Sequence, residues 1–123
     1  MFLKRDVTSK ALEFPVKAGE TINHGDVVVV DGAEIAAATN AATSAETLGV
    51  AMADVETAVA GDKIMVELPI EKFTLFKADT NGATTMFAKL ALVDAKTVDA
   101  GTAGTAVMVV RPLDDESAEV VFI

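Results

Sequence analysis

Strand-sized apolar runs alternate with short polar turns along most of this chain. Leu12 to Val16 predicts a first strand, followed by the turn Lys17-Ala18-Gly19-Glu20 and a polar stretch reaching His24. Pro15 has no N–H to give a ladder, so that strand belongs at a sheet edge or bulge. Val27 to Val30 is an unbroken β-branched run, too short for a helix. The Asp31-Gly32 pair behind it predicts a hairpin and a return strand from Ala33 to Thr39.

Residues 36–46, AAATNAATSAE, mix helix-forming alanines with Thr, Asn and Ser, which compete for backbone hydrogen bonds. They read as a strand end plus loop, with room for one helical turn. Leu48 to Val55 is the next strand, in which Gly49 marks a bulge or a close backbone approach. Lys63 to Leu68 follows and stops at Pro69. Its entry, Gly61-Asp62, repeats Gly25-Asp26, and Gly104-Thr105 similarly leads into a Val-rich run. Such recurrence is turn grammar rather than a structural repeat.

Phe73 to Phe76 predicts another strand, with Ala78-Asp79-Thr80-Asn81-Gly82 as its hairpin turn. In 83–94, Phe87, Leu90 and Ala91 share one helical face, yet Thr84 and Thr85 and the flanking turn favour strand. Ala106 to Arg111 and Glu119 to Ile123 form a closing hairpin around residues 112–117. Roughly six to nine short strands spaced about ten residues apart predict an all-β barrel or sandwich of antiparallel strands. Residues 1–11 break any apolar period and read as an extended N-terminal arm before a single β domain, 12–123. Phe2 and Leu3 form its apolar tip. Docking of that tip on a neighbour and a frayed terminus are both open readings.

Composition makes the expected core light. Hydrophobic residues are 51% of the 123, but aromatics only 5%, with no Trp or Tyr, so Ala and Val carry the apolar weight. A buried Val is worth about 1.5–3 kcal/mol and Ala less, which points to help from oligomerisation or from docking on a larger body. A mean hydropathy of +0.41 in an acidic chain agrees, since some apolar surface is then left for a partner. The formal net charge of −9 disfavours nucleic acid and anionic membranes as partners. No apolar run reaches the roughly 18 residues of a membrane span, and the N-terminus lacks the apolar core of a secretory signal. With no Cys there is no disulfide framework, a composition compatible with a reducing cytoplasm.

No constellation for catalysis stands out. His24 is the chain's single histidine and lies in the polar turn TINHGD, where an exposed turn residue is the reading set against a metal ligand or general base assisted by Asp26. The acids Asp114, Asp115 and Glu116, and Asp26 with Asp31, read as turn and solubility residues. A calcium-loop spacing is missing, as are the aromatics that stack on sugars. Gly101-Thr102-Ala103-Gly104 is too short for a phosphate cradle and precedes a strand instead of a helix.

The segments Gly25 to Val30, Leu48 to Ala51 and Ala60 to Leu68 together resemble the capsid decoration, or cement, proteins of tailed bacteriophages. The shared pattern is a Gly-Asp strand rich in Val, a short hairpin, a Leu-Gly-Val-Ala strand, and an Ala-Gly-Asp turn into another apolar strand. VVRPLDDESAEVVF extends the likeness more loosely. The resemblance implies a β-tulip-like fold and a non-enzymatic virion protein, needing no cofactor. It further implies binding to the major capsid protein on the outside of the mature shell as a homotrimer, after synthesis in the bacterial cytoplasm. Under that reading Phe2, Leu3, Lys4 and Arg5 are the candidate capsid contacts, the basic pair meeting acidic coat residues. The alternatives are another phage morphogenesis part, from the tail or head-completion apparatus, or a small β-barrel that binds a ligand or carbohydrate.

Overall fold

The computed structural model describes residues 2–4, 10–39, 42, 46–69, 74–99 and 105–123. Among them the architecture is all-β, with strands in two sheets and no helix. Gly101 to Gly104, Arg5 and Phe73 lie outside the described residues, as does much of 36–46.

The first sheet closes on itself. Its strands are β1 (Leu3–Lys4), β7 (Phe76–Thr80), β8 (Lys89–Leu92), β9 (Thr97–Asp99), β10 (Val107–Asp114) and β11 (Ser117–Phe122), in the order β1-β7-β11-β10-β8-β9. A further pairing of β7 with β9 joins the ends into a small barrel, and β1 is added on the edge of β7. The β7–β9 pairing is parallel, with Asp79 opposite Thr97 and Thr80 opposite Val98, while the other ladders of the barrel are antiparallel. The barrel is therefore mixed, not wholly antiparallel as expected.

The second sheet contains β2 (Lys10–Pro15), β3 (Val27–Asp31), β4 (Glu34–Ala37), β5 (Thr47–Ala51) and β6 (Lys63–Leu68), ordered β2-β6-β5-β3-β4. Its two outer strands bend toward each other, since Val16, just past β2, forms a parallel bridge with Ile35 of β4. Pro15 sits on an outer strand, as its missing donor requires. Lys10 and Ala11 belong to β2 and not to the arm expected over 1–11.

Two apolar clusters fill these sheets, and β3 lies between them. Val27 faces the barrel cluster with Phe76, Leu90, Val107 and Val120, whereas Val28 faces a second cluster with Ile22, Ile35, Ile64 and Val66. That double burial explains why β3 is an uninterrupted Val run instead of an alternating one. Beside it a bulge carries Val28 opposite Gly49 and Val29 opposite Thr47, which leaves Leu48 unpaired and turns it to the second cluster while Val50 faces the first.

Several expected boundaries move. The first hairpin turns on Gly32-Ala33, since Asp31 pairs with Glu34; Gly32 at φ 65° supplies the positive angle. The return strand ends at Ala37, two residues early. The stretch expected to be a turn, 78–80, is instead the second half of β7. Ala78 and Thr80 alternate with Phe76 toward the barrel interior, where small side chains fit a narrow lumen. Asn81-Gly82 consequently makes no hairpin, and the Asn81 N–H bonds the Val98 carbonyl across the barrel seam at 3.2 Å. Only Lys89–Leu92 of 83–94 is strand. The closing hairpin is as expected but longer, and Pro112 lies inside β10, next to the second of two bulges.

Candidate functional site

Of the residues proposed for capsid contact, Phe2 and Leu3 face opposite ways. Phe2 is 1% exposed and its ring stacks on Phe122 at 5.6 Å, while Phe122 meets Phe76 edge-on at 5.4 Å. The Phe2 N–H also donates to the Gly25 carbonyl at 2.8 Å. Phe2 is thus a core residue that fastens the N-terminus to the barrel, not part of a free tip. Leu3, one position on, points the other way and is 37% exposed, opposite Lys77 of β7. Lys4 pairs with Phe76 through the backbone.

The rolled second sheet ends in an apolar mouth. Phe14 of β2, Val30 of β3, Ile35 of β4 and Leu48 of β5 line a hollow of about 160 Å³, with Gly32, Ala33 and Glu34 at its lip. Four of the five strands contribute, and the parallel bridge from Val16 to Ile35 brings β2 beside β4 at this mouth. Val30, the last apolar residue of the Val run, is 56% exposed there. Beside it the Lys17 ammonium meets the Asp31 carboxylate at 2.7 Å. That hydrogen bond, then the charge of Asp31, raises Lys17 above the ordinary lysine value.

A second apolar feature stands on the barrel. Met86 and Phe87 form an exposed tip before β8, with Phe87 64% exposed at φ 65°. A bulky residue in the left-handed region costs about 1–3 kcal/mol. The Phe87 N–H donates to the Val109 carbonyl at 2.7 Å and holds that backbone on β10. In the same loop the Thr84 hydroxyl is buried without a hydrogen-bond partner, a further cost of about 1–3 kcal/mol. Sequence reasoning missed this tip because Phe87 falls on the same periodic face as Leu90 and Ala91. The Thr84-Thr85 pair that interrupts the period was its one signal.

No protein-family model matches this chain, and no curated protein matches it in sequence.

Several of the polar candidates make structural contacts. His24 is exposed in its turn, and its backbone N–H donates to Asp54 Oδ1 at 2.6 Å. The neighbouring Asp26 is not a solubility residue. It is 2% exposed, accepts the Asn23 N–H at 2.9 Å, and pairs with Lys96 at 2.7 Å. The pair ties the turn before β3 to the β8–β9 turn, and the Val27 N–H to Ala95 carbonyl bond at 2.7 Å reinforces it. Asp114 caps the β10–β11 turn, accepting from the Glu116 N–H at 2.8 Å and the Ser117 hydroxyl at 3.0 Å. Those two bonds hold its carboxyl below the usual range. Glu119, buried on β11, is held by Arg111 opposite it. No group of three or more metal-ligating side chains occurs among the described residues.

Proposed function

We propose that this chain is a structural virion protein that binds the outer surface of the mature, expanded capsid of a tailed bacteriophage and stabilises it. One observation carries the reading beyond the sequence pattern. The three segments that resemble decoration proteins become β3, β5 and β6, which are immediate neighbours in one sheet, so the likeness falls on a contiguous piece of fold. The exposed Leu3 beside the anchored Phe2 supports contact with a coat subunit, and so do the apolar mouth and tip.

The partners in this reading are the major capsid protein and other copies of the chain, arranged as a homotrimer. It is not an enzyme and uses no cofactor. Stabilisation works by linkage: a protein that binds only the expanded lattice favours that state by its differential affinity. Several copies presented together multiply modest contacts through effective concentration. Sedimentation of the purified protein with undecorated mature shells and with precursor shells is the test. Saturable co-sedimentation with mature shells alone is expected, and binding to neither refutes the reading.

The mouth favours a second reading, a module for a small apolar ligand, because a hollow of that size and lining takes one ring or a short alkyl chain. A melting shift with such ligands, reversed by Val30→Glu, would support it.

A further inference from the structure

An exposed apolar knob and an apolar hollow occupy different parts of this fold. The knob, Met86-Phe87, is fastened to the barrel through Val109. The hollow is lined wholly by the second sheet and its hairpin, residues 14, 30, 32–35 and 48. We infer that Phe87 of one copy seats in the mouth of a second copy, giving a head-to-tail self-association. This inference rests on the homo-oligomer in the proposed function but not on capsid binding.

Size, backbone and charge each argue for that occupant. A phenylalanine ring is the size of benzene, and the hollow of about 160 Å³ is close to the apolar cavity of about 150 Å³ that takes benzene. The left-handed φ of 65° at Phe87 keeps a large ring displayed in a conformation that glycine would adopt freely. Strain of that kind persists where the surrounding structure enforces it, and here what it presents is an aromatic side chain, the residue type that anchors interfaces. Each copy has a net charge of −9 and repels the next. A self-contact therefore needs a local cation opposite an anion. Lys89, exposed two residues beyond Phe87, and Glu34 on the lip of the mouth meet that need.

Because knob and mouth are different surfaces, the contact is heterologous. It leaves one of each free at the ends and closes into a ring when the rotation between copies allows.

Sedimentation equilibrium of the full chain up to roughly 100 μM, where even weak specific contacts are substantially formed, tests this directly. Wild type is expected to associate. Phe87→Gly should be monomeric, and at a dilution where wild type is monomeric too its unfolding midpoint should stay level or rise, because glycine relieves the backbone as it removes the knob. Val30→Glu, which puts a charge in the mouth, should also be monomeric. An equimolar mixture of the two variants should form a heterodimer, one supplying the ring and the other the intact mouth. As an independent check, Lys89→Glu should weaken association and added Glu34→Lys should restore it. The inference is overturned by a monomeric wild type, by Phe87→Gly that assembles normally or melts lower than wild type at that dilution, by a mixture that stays monomeric, or by a charge swap that fails to restore. Monomeric Phe87→Gly that still sediments with mature shells would leave capsid binding standing by itself. Wild type that associates but ignores shells would do the reverse.

Discussion

Gly49 and Glu67 approach so closely across the β5–β6 ladder that a Cβ on Gly49 would stand 2.1 Å from the Glu67 carbonyl oxygen. The obstacle is backbone, so it cannot rotate away. Gly49→Ala must push β5 off β6 in the middle of the second sheet, with overpacking that costs about 1–3 kcal/mol. A lowered urea midpoint at unchanged slope would report it. Gly19→Ala is a useful contrast, because its Cβ meets nothing within 4 Å and any loss there comes from the positive φ alone.

Phe2 is expected to behave as a core residue. Phe2→Ala deletes the ring stacked on Phe122 and should cost about 3–5 kcal/mol, a large share of the roughly 5–15 kcal/mol that holds a domain folded. Thermal unfolding of the variant checks this directly. Removing the N-terminal residues wholesale should destabilise the barrel in the same way, so a truncation confounds folding with any loss of binding.

The Asp26–Lys96 pair predicts unequal effects from its two ends. Lys96 is half exposed and can rehydrate when Asp26 is replaced, so Asp26→Asn should cost only about 1–2 kcal/mol. Lys96→Met instead leaves a carboxylate that is 2% exposed without its counter-charge, and should cost about 3 kcal/mol or more. Chemical denaturation of both variants at neutral pH would show the ranking, and equal losses would count against a buried carboxylate held by Lys96.

Local grammar made much of this fold readable, and the misses share a cause. The Val run, the Asp31 hairpin, Gly49 and the final hairpin are each specified by residues within a few positions of one another. The β7–β9 closure is not. It pairs Asp79 with Thr97 in parallel, and nothing near either residue announces a partner across the barrel. Ala78 and Thr80 look like turn residues until the barrel's narrow interior gives small side chains a reason to point inward. Asp26 likewise reads as a surface acid because the lysine that holds it lies 70 residues away. The mouth was illegible as well. Its lining residues read as strand and hairpin-turn residues, but their convergence depends on the bend that brings Val16 to Ile35.

Two exposed charges predict opposite pH responses. The carboxyl of Asp114 is lowered by the Glu116 N–H and the Ser117 hydroxyl, so its contribution is present above the unfolded value and is lost as pH falls through the folded one. Ser117→Ala should move that titration up toward the ordinary range, readable by carboxyl carbon NMR. Lys17 is raised, chiefly by its hydrogen bond to Asp31, so its contribution is full below the unfolded value and disappears as pH rises through the folded one. Asp31→Asn should remove most of that alkaline component, read as the loss of the high-pH change in the unfolding midpoint.

Leu3 and Phe2 together offer a way to test capsid contact without disturbing the fold. Leu3 pairs with Lys77 through its backbone while its side chain is 37% exposed, so Leu3→Asp keeps the β1–β7 ladder and removes an apolar contact surface. Its effect on stability should remain within about 0.5 kcal/mol, as for most surface changes. If the N-terminal strand meets the coat lattice, the same substitution should reduce occupancy of mature shells at least tenfold at subsaturating protein, a loss of about 1.4 kcal/mol per copy. That loss would multiply in an assembly bound through several copies, because each site contributes to a shared avidity. Unchanged occupancy alongside an unchanged melting temperature would remove the N-terminal strand from the contact and direct attention to the mouth of the second sheet and the Phe87 tip.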